Sequence, residues 1–175
     1  MSVTDSLNTE LQAVATGIGV AAQAAATADA TAENIARHSA GQGFTGIAQS
    51  MARVRQVIQE IRSLLAAAIS TAGETRSAVA AIPQQMSPQQ TIAVLTPLLS
   101  RLDAVDGSVS AAGQRTAEAR QATVAALEGG QPDAMLARLN SIVQALAGVG
   151  QRTMAARQHV QEAVTAARQA GSQGN

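Results

Sequence analysis

The sequence predicts an all-α fold: an elongated antiparallel four-helix bundle running up, down, up and down. Three observations predict it. Ala, Gln, Arg, Glu and Leu, all strong helix formers, dominate four long segments. Within each segment the apolar residues recur alternately three and four positions apart, a heptad seam that marks helices packing at a shallow angle. Gly and Pro cluster at three places, 41–46, 83–88 and 129–132, and breaks this short make sequential helices antiparallel neighbours.

The first helix is predicted near 3–38. Its seam begins with Leu7, Leu11, Val14 and Ile18 and continues with Ala21, Ala25, Ala28, Ala32 and Ile35. Ser2 with Asp5 offers a weak cap, and His38 at the far end suits the helix dipole. The second helix, near 46–82, runs from Ile47 through Met51, Val54, Ile58, Ile61 and Leu65 to Ala68, Ala72, Thr75 and Val79. The third, near 88–128, opens on Ser87-Pro88-Gln89-Gln90, which places Ser at the N-cap, Pro at the first helical position and Gln at the third, a capping box. Pro97 lies ten residues in, removes one backbone hydrogen bond and crowds the preceding turn, so a kink or a break is expected there, with 88–95 as a separate short helix. The fourth, near 133–170, follows Pro132 with Asp133 as its cap. The helices form one unit over 1–170, and the polar, glycine-rich 171–175 is expected to fray.

Two features choose the arrangement. Seam residues are large in the N-terminal half of each helix and small in the C-terminal half. Antiparallel neighbours therefore set Ile47 to Leu65 against Ala21 to Ala32, and Leu95 to Val109 against Ala68 to Thr75, large against small at every level. The four helices carry formal charges of −3, +2, −1 and +2, so an up-down-up-down square gives every adjacent pair opposite signs.

A repeat runs through the chain. Gly113-Gln114-Arg115-Thr116 recurs 37 residues later as Gly150-Gln151-Arg152-Thr153, one helix and a turn further on. Glycines also stand inside the helices at positions 17, 19, 73, 107, 113, 148 and 150. Each costs about 1 kcal/mol relative to Ala, and close approach of neighbouring helices is the expected reason.

Composition excludes much chemistry. There is no Cys, hence no disulfide, thiol nucleophile or cysteine metal site. The net charge is zero, all cations are Arg, and Phe44 is the only aromatic, so neither an electrostatic footprint nor a stacking platform for nucleic acid exists. His38 and His159 stand apart without acids at ligand spacing. Asp103 and Asp106, three apart, have no base or nucleophile beside them and read as a solvated face. The loop from Gly41 to Gly46 lacks the Lys and the preceding strand of a phosphate cradle, and reads as a turn whose Phe44 caps the end of the core. No catalytic, cofactor or metal site is expected, and a small-molecule ligand is not. The alanine-rich stretch from Leu11 to Ala28 is too weakly apolar for a convincing bilayer span, and the first ten residues carry no cation for a secretory signal. A cytoplasmic protein is the expectation, with export lacking a cleavable signal as the alternative.

Three stretches also carry a resemblance: Gly43-Phe44-Thr45-Gly46-Ile47-Ala48 with Met51-Ala52-Arg53-Val54-Arg55-Gln56, then Met86-Ser87-Pro88-Gln89-Gln90-Thr91-Ile92-Ala93-Val94-Leu95, then the ending from Ala167-Arg168-Gln169 to Asn175. They resemble a family of small helical proteins from actinobacteria of the Micromonospora group, a family that implies an all-helical fold and no assigned site. The helical design is also loosely similar to the helical-hairpin substrates of type VII secretion. Those bear a Trp-x-Gly turn where this chain has Gly43-Phe44-Thr45-Gly46 and no Trp.

These readings converge on a non-enzymatic interaction or self-assembly protein whose partner is itself or another helical protein. An exported helical effector or surface protein is one alternative, and a bundle that takes an apolar ligand or a lipid surface is the other. Only 14% of residues are charged, and a chain without net charge lacks long-range repulsion. Phe44, Val124 and Leu136 are the apolar positions expected to meet a partner, and Ala66 and Ala145 are expected to lie outward, where added charge would block association.

Overall fold

The computed structural model describes residues 3–83, 85–128 and 130–173. Ser2, half of the proposed first cap, and the last two residues of the expected tail lie outside them. Four helices run in sequence: α1 (Val3–Gly41), α2 (Thr45–Ala80), α3 (Pro88–Ala126) and α4 (Asp133–Gln173). Each packs on its chain neighbour and α1 packs on α4, while the diagonal pairs make no close approach, so the cross-section is a square. At 1.5 Å per residue a 39-residue helix is about 58 Å long.

Polar contacts fix the register. From Glu60 to Glu74 in α2, the α3 partner falls from Arg115 to Arg101, which is antiparallel pairing. On the other side of α3, Asp103 meets Arg157 and Pro88 approaches Gly171. The predicted charge alternation becomes a cross-helix ion pair at all four interfaces: Arg55 with Asp29 and Glu33, Arg115 with Glu60, Arg157 with Asp103, and Arg152 with Glu10. Such exposed pairs contribute little individually, but together they favour this neighbour order over one that sets like charges side by side.

Local chemistry explains the ends. Ser87 accepts from the Gln90 amide and the Gln90 side chain accepts from the Ser87 amide, so the capping box forms as predicted, with Pro88 opening the helix. Between α1 and α2, Gly43 adopts φ +83°, its amide donates to Ala40 O and the Phe44 amide to Ser39 O. This is a Schellman ending, and the left-handed φ is why a glycine stands there. Asp133 is the first residue of α4 rather than its cap, where its charge suits the helix dipole.

Two expectations about α3 and α4 are corrected. Helix α3 is not broken at Pro97: it runs through it, and no separate helix covers 88–95. Pro97 and Ala93, whose carbonyl loses its partner, are both exposed, so water can serve that oxygen, while Leu95 and Leu98 stay in the core. Helix α4 continues through Gly171 and Ser172 to Gln173 instead of fraying at 170; the Ser172 hydroxyl donates to Gln169 O.

The seam residues are buried as the periodicity requires. The core nevertheless forms two clusters. The larger includes Val14, Ile18, the α1 alanines, and Ile58, Ile61, Leu139 and Ile142; the smaller gathers Leu7, Leu11, Val79, Leu95, Leu98, Leu102 and Val160 at the end holding the α2–α3 connection. Thr75 and Thr153 stand at the seam between them, on diagonally opposed helices. Each hydroxyl donates to the carbonyl four residues back, at 2.6 and 3.0 Å.

Only one interior glycine is explained by helix approach. A Cβ on Gly17 would stand 2.7 Å from Val149 Cγ2, whereas those on Gly19, Gly73, Gly107, Gly113, Gly148 and Gly150 would meet nothing within 4 Å. Gly17→Ala is therefore expected to lower stability, because overpacking at buried Val149 costs about 1–3 kcal/mol against about 1 kcal/mol of helix propensity gained. Gly73→Ala is expected to raise the melting temperature by roughly 2–4 °C, for a gain near 1 kcal/mol. Thermal unfolding of the two variants checks the contrast, and equal shifts would refute it.

Helix α1 is, by length and composition alone, apolar enough to cross a membrane. Its seam, Leu7 to Ala32, is buried against α2 and α4 here, as in any core helix.

Candidate functional site

Among the described residues no three His, Cys, Asp or Glu side chains come together. Asp103 pairs with Arg157 across α3 and α4, while Asp106 makes no ion pair among the described residues. Glu33 is held below the usual carboxylate range, first by its hydrogen bond and charge contact with Arg37 and then by Arg55; it lies on the open surface between α1 and α2. These are features of solvated helix faces. Candidate sites are therefore grooves and apolar surfaces.

A groove of about 710 Å³ lies at the end of the bundle that holds the α2–α3 connection. The proline-rich connection supplies Ile82, Pro83, Met86 and Pro88, α1 adds Val3, and α4 adds alanines at 163, 166, 167 and 170. Among the described residues no charged side chain lines it. The α4 side of this space is lined by small alanine side chains.

The second surface is the outer side of the α3–α4 pair. Of the eight large apolar side chains exposed among the described residues, three lie here: Val124 (51% exposed), Val143 (38%) and Met154 (62%). Leu99 and Leu136 stand half-buried beside them. A Cβ on Gly113 of α3 or on Gly150 of α4 would meet nothing within 4 Å. Arg157 Nε, in the seam, is buried without a hydrogen-bond partner.

The repeat acquires a structural meaning on this surface. In both copies the Thr is buried and donates back to its own helix, Thr116 to Ala112 O and Thr153 to Val149 O. The Arg turns away and pairs across the far interface, Arg115 with Glu60 and Arg152 with Glu10. The Gly leaves open the space a Cβ would take. One motif thus sets a core position, a bridge and an opening on each helix.

Residues 86–172, which are α3, α4 and the connection between them, match the model of a family of unknown function, DUF6244. No curated protein and no solved structure matches the chain. The matched half carries the repeat and the apolar face, while α1 and α2 lie outside it.

The residues expected to meet a partner are dispersed. Phe44 is 55% exposed at the α1–α2 turn and does not cap the core: the Schellman ending carries it outward, one residue past the left-handed glycine. Val124 is exposed on the α3–α4 face. Leu136 is half-buried in that groove, because it sits one residue from buried Met135 on the side turned to α3. Ala66 is exposed, but on the α1–α2 side. Ala145 is not outward: it is half-buried, packs on the core and lines a groove with Gly17 of α1. The surface signal missed in the sequence was Met154, which stands outside the seam and so looks like an ordinary solvent position, whereas Val143 reads as a bulky widening of the α4 stripe.

Proposed function

We propose that this protein is a non-enzymatic helical interaction module that associates with its own kind. The observation that carries this reading is the outer α3–α4 face, where Val124, Val143 and Met154 are exposed and the Cβ positions of Gly113 and Gly150 are open. Scattered apolar residues are ordinary on any surface, but grouping on one face marks a contact surface. The absence of net charge removes the long-range repulsion that would keep copies apart. Sedimentation from micromolar concentrations upward tests it. The expected result is a species of twice 17.7 kDa that grows with concentration. A chain that stays at 17.7 kDa throughout refutes it.

A second reading is favoured by the end groove, whose volume falls in the range of roughly 300–1,000 Å³ typical of ligand sites and whose lining is uncharged. It suits an unbranched apolar chain. Equilibrium dialysis with a long-chain fatty acid tests this reading: Ala166→Trp, which fills the groove, is expected to abolish uptake, and no uptake by the unaltered protein refutes it.

A further inference from the structure

We infer that the α3–α4 face binds a second copy about a two-fold axis that crosses α3 at Gly113. This rests on the self-association proposed above and specifies its interface. Along the stripe of α3 that borders α4, residues seven apart are Asp106, Gly113 and Arg120. Glycine is central, with an acid two turns before it and a base two turns after. Among the described residues neither charge has an ion-pair partner, whereas the nearby Asp103 and Arg115 pair across to α4 and α2.

A stripe with this order is complementary to itself. A two-fold axis lying in the interface, perpendicular to the helices, lays α3 antiparallel over α3 of the second copy. Asp106 then meets Arg120 of the second copy, Arg120 meets its Asp106, and the two charges of each stripe, about 21 Å apart at 1.5 Å per residue, are matched at both ends. At the crossing point the two Gly113 positions face each other, and the lack of a Cβ lets the backbones come close. Helix α4 repeats the design. Small Ala147 and Gly150 lie near the same level, with Val143 on one side and Met154 on the other, so the larger apolar groups stand to either side of the centre. A parallel arrangement would set Asp106 over Met154 and leave both charges unmatched. An unrelated helical partner has no reason to match the acid–glycine–base spacing.

The test uses charge reversal in the full chain, with circular dichroism confirming unchanged helicity. Asp106→Arg and Arg120→Asp are each expected to raise the dimer dissociation constant at least about tenfold, since like charges then face each other twice. The double variant D106R/R120D is expected to recover most of the affinity. Mixing the two single variants is expected to yield a heterodimer tighter than either homodimer, because each supplies the sign the other lacks. Ala66→Arg, on the opposite face, is expected to change nothing. If the unaltered protein is monomeric at every concentration, both the self-association reading and this interface fail. If it dimerises but is indifferent to the reversals, or if mixing does not restore association, this interface fails alone and another face carries the dimer.

Discussion

Replacing Ile61 by Ala is expected to lower unfolding free energy by about 2–5 kcal/mol, a large share of the 5–15 kcal/mol that folded domains have. Ile61 is fully buried in the larger core cluster and stands in the half of α2 where side chains are large. Opposite it, α1 presents the small Ala25 and Ala28, also fully buried; the pairing of Arg55 and Gln59 with Asp29 sets that register. Truncation therefore opens a cavity that α1 has no bulk to fill. The reverse change, Ala25→Leu, is expected to cost about 1–3 kcal/mol by overpacking. Combined, A25L and I61A exchange large for small across the interface, and the double variant is expected to be more stable than the sum of the single losses implies. Denaturant unfolding of all four proteins measures the coupling. Simple additivity would mean that the two positions do not face each other.

Pro97→Ala is the second large expected effect, in the opposite direction. A proline inside a helix costs about 3 kcal/mol relative to Ala, and α3 runs unbroken through this one. Replacement restores an amide for the Ala93 carbonyl. Because both residues are exposed, water can serve that oxygen, and the more flexible unfolded chain returns about 0.4–1 kcal/mol. A net gain of about 1–3 kcal/mol is expected, read as a higher denaturant midpoint at unchanged slope. An unchanged or lower midpoint would show that Pro97 relieves a strain in α3 that Ala would not.

The neighbour order was legible from the charges of the helices, since −3, +2, −1 and +2 alternate around a square and appear as ion pairs at its four edges. Of the kink or break expected at Pro97, the break does not occur: the cost of a proline was weighed without its exposure, which depends on which face of α3 turns inward. The glycines were misread for a related reason. A glycine in a helix says that a side chain is missing, but only the neighbour's position says whether anything takes its place: Val149 does so at Gly17, and nothing does at Gly113 or Gly150. The surface was the least legible part. Phe44 was placed against the core by its size, yet the turn geometry carries it outward, and Ala145 was placed outward by its distance from the seam, yet α1 approaches close enough to cover it.

By itself the sequence determined the helices, their seams and their antiparallel order, because these follow from periodicity, turn residues and charge, all carried by residues near one another in the chain. Only the tertiary structure decided that the core divides at Thr75 and Thr153, that one glycine of the interior set is a packing contact, and that Val124, Val143 and Met154 share one open face. Those features depend on the rotation and register of helices about one another, which are set by side chains meeting across 26 or more positions of the chain.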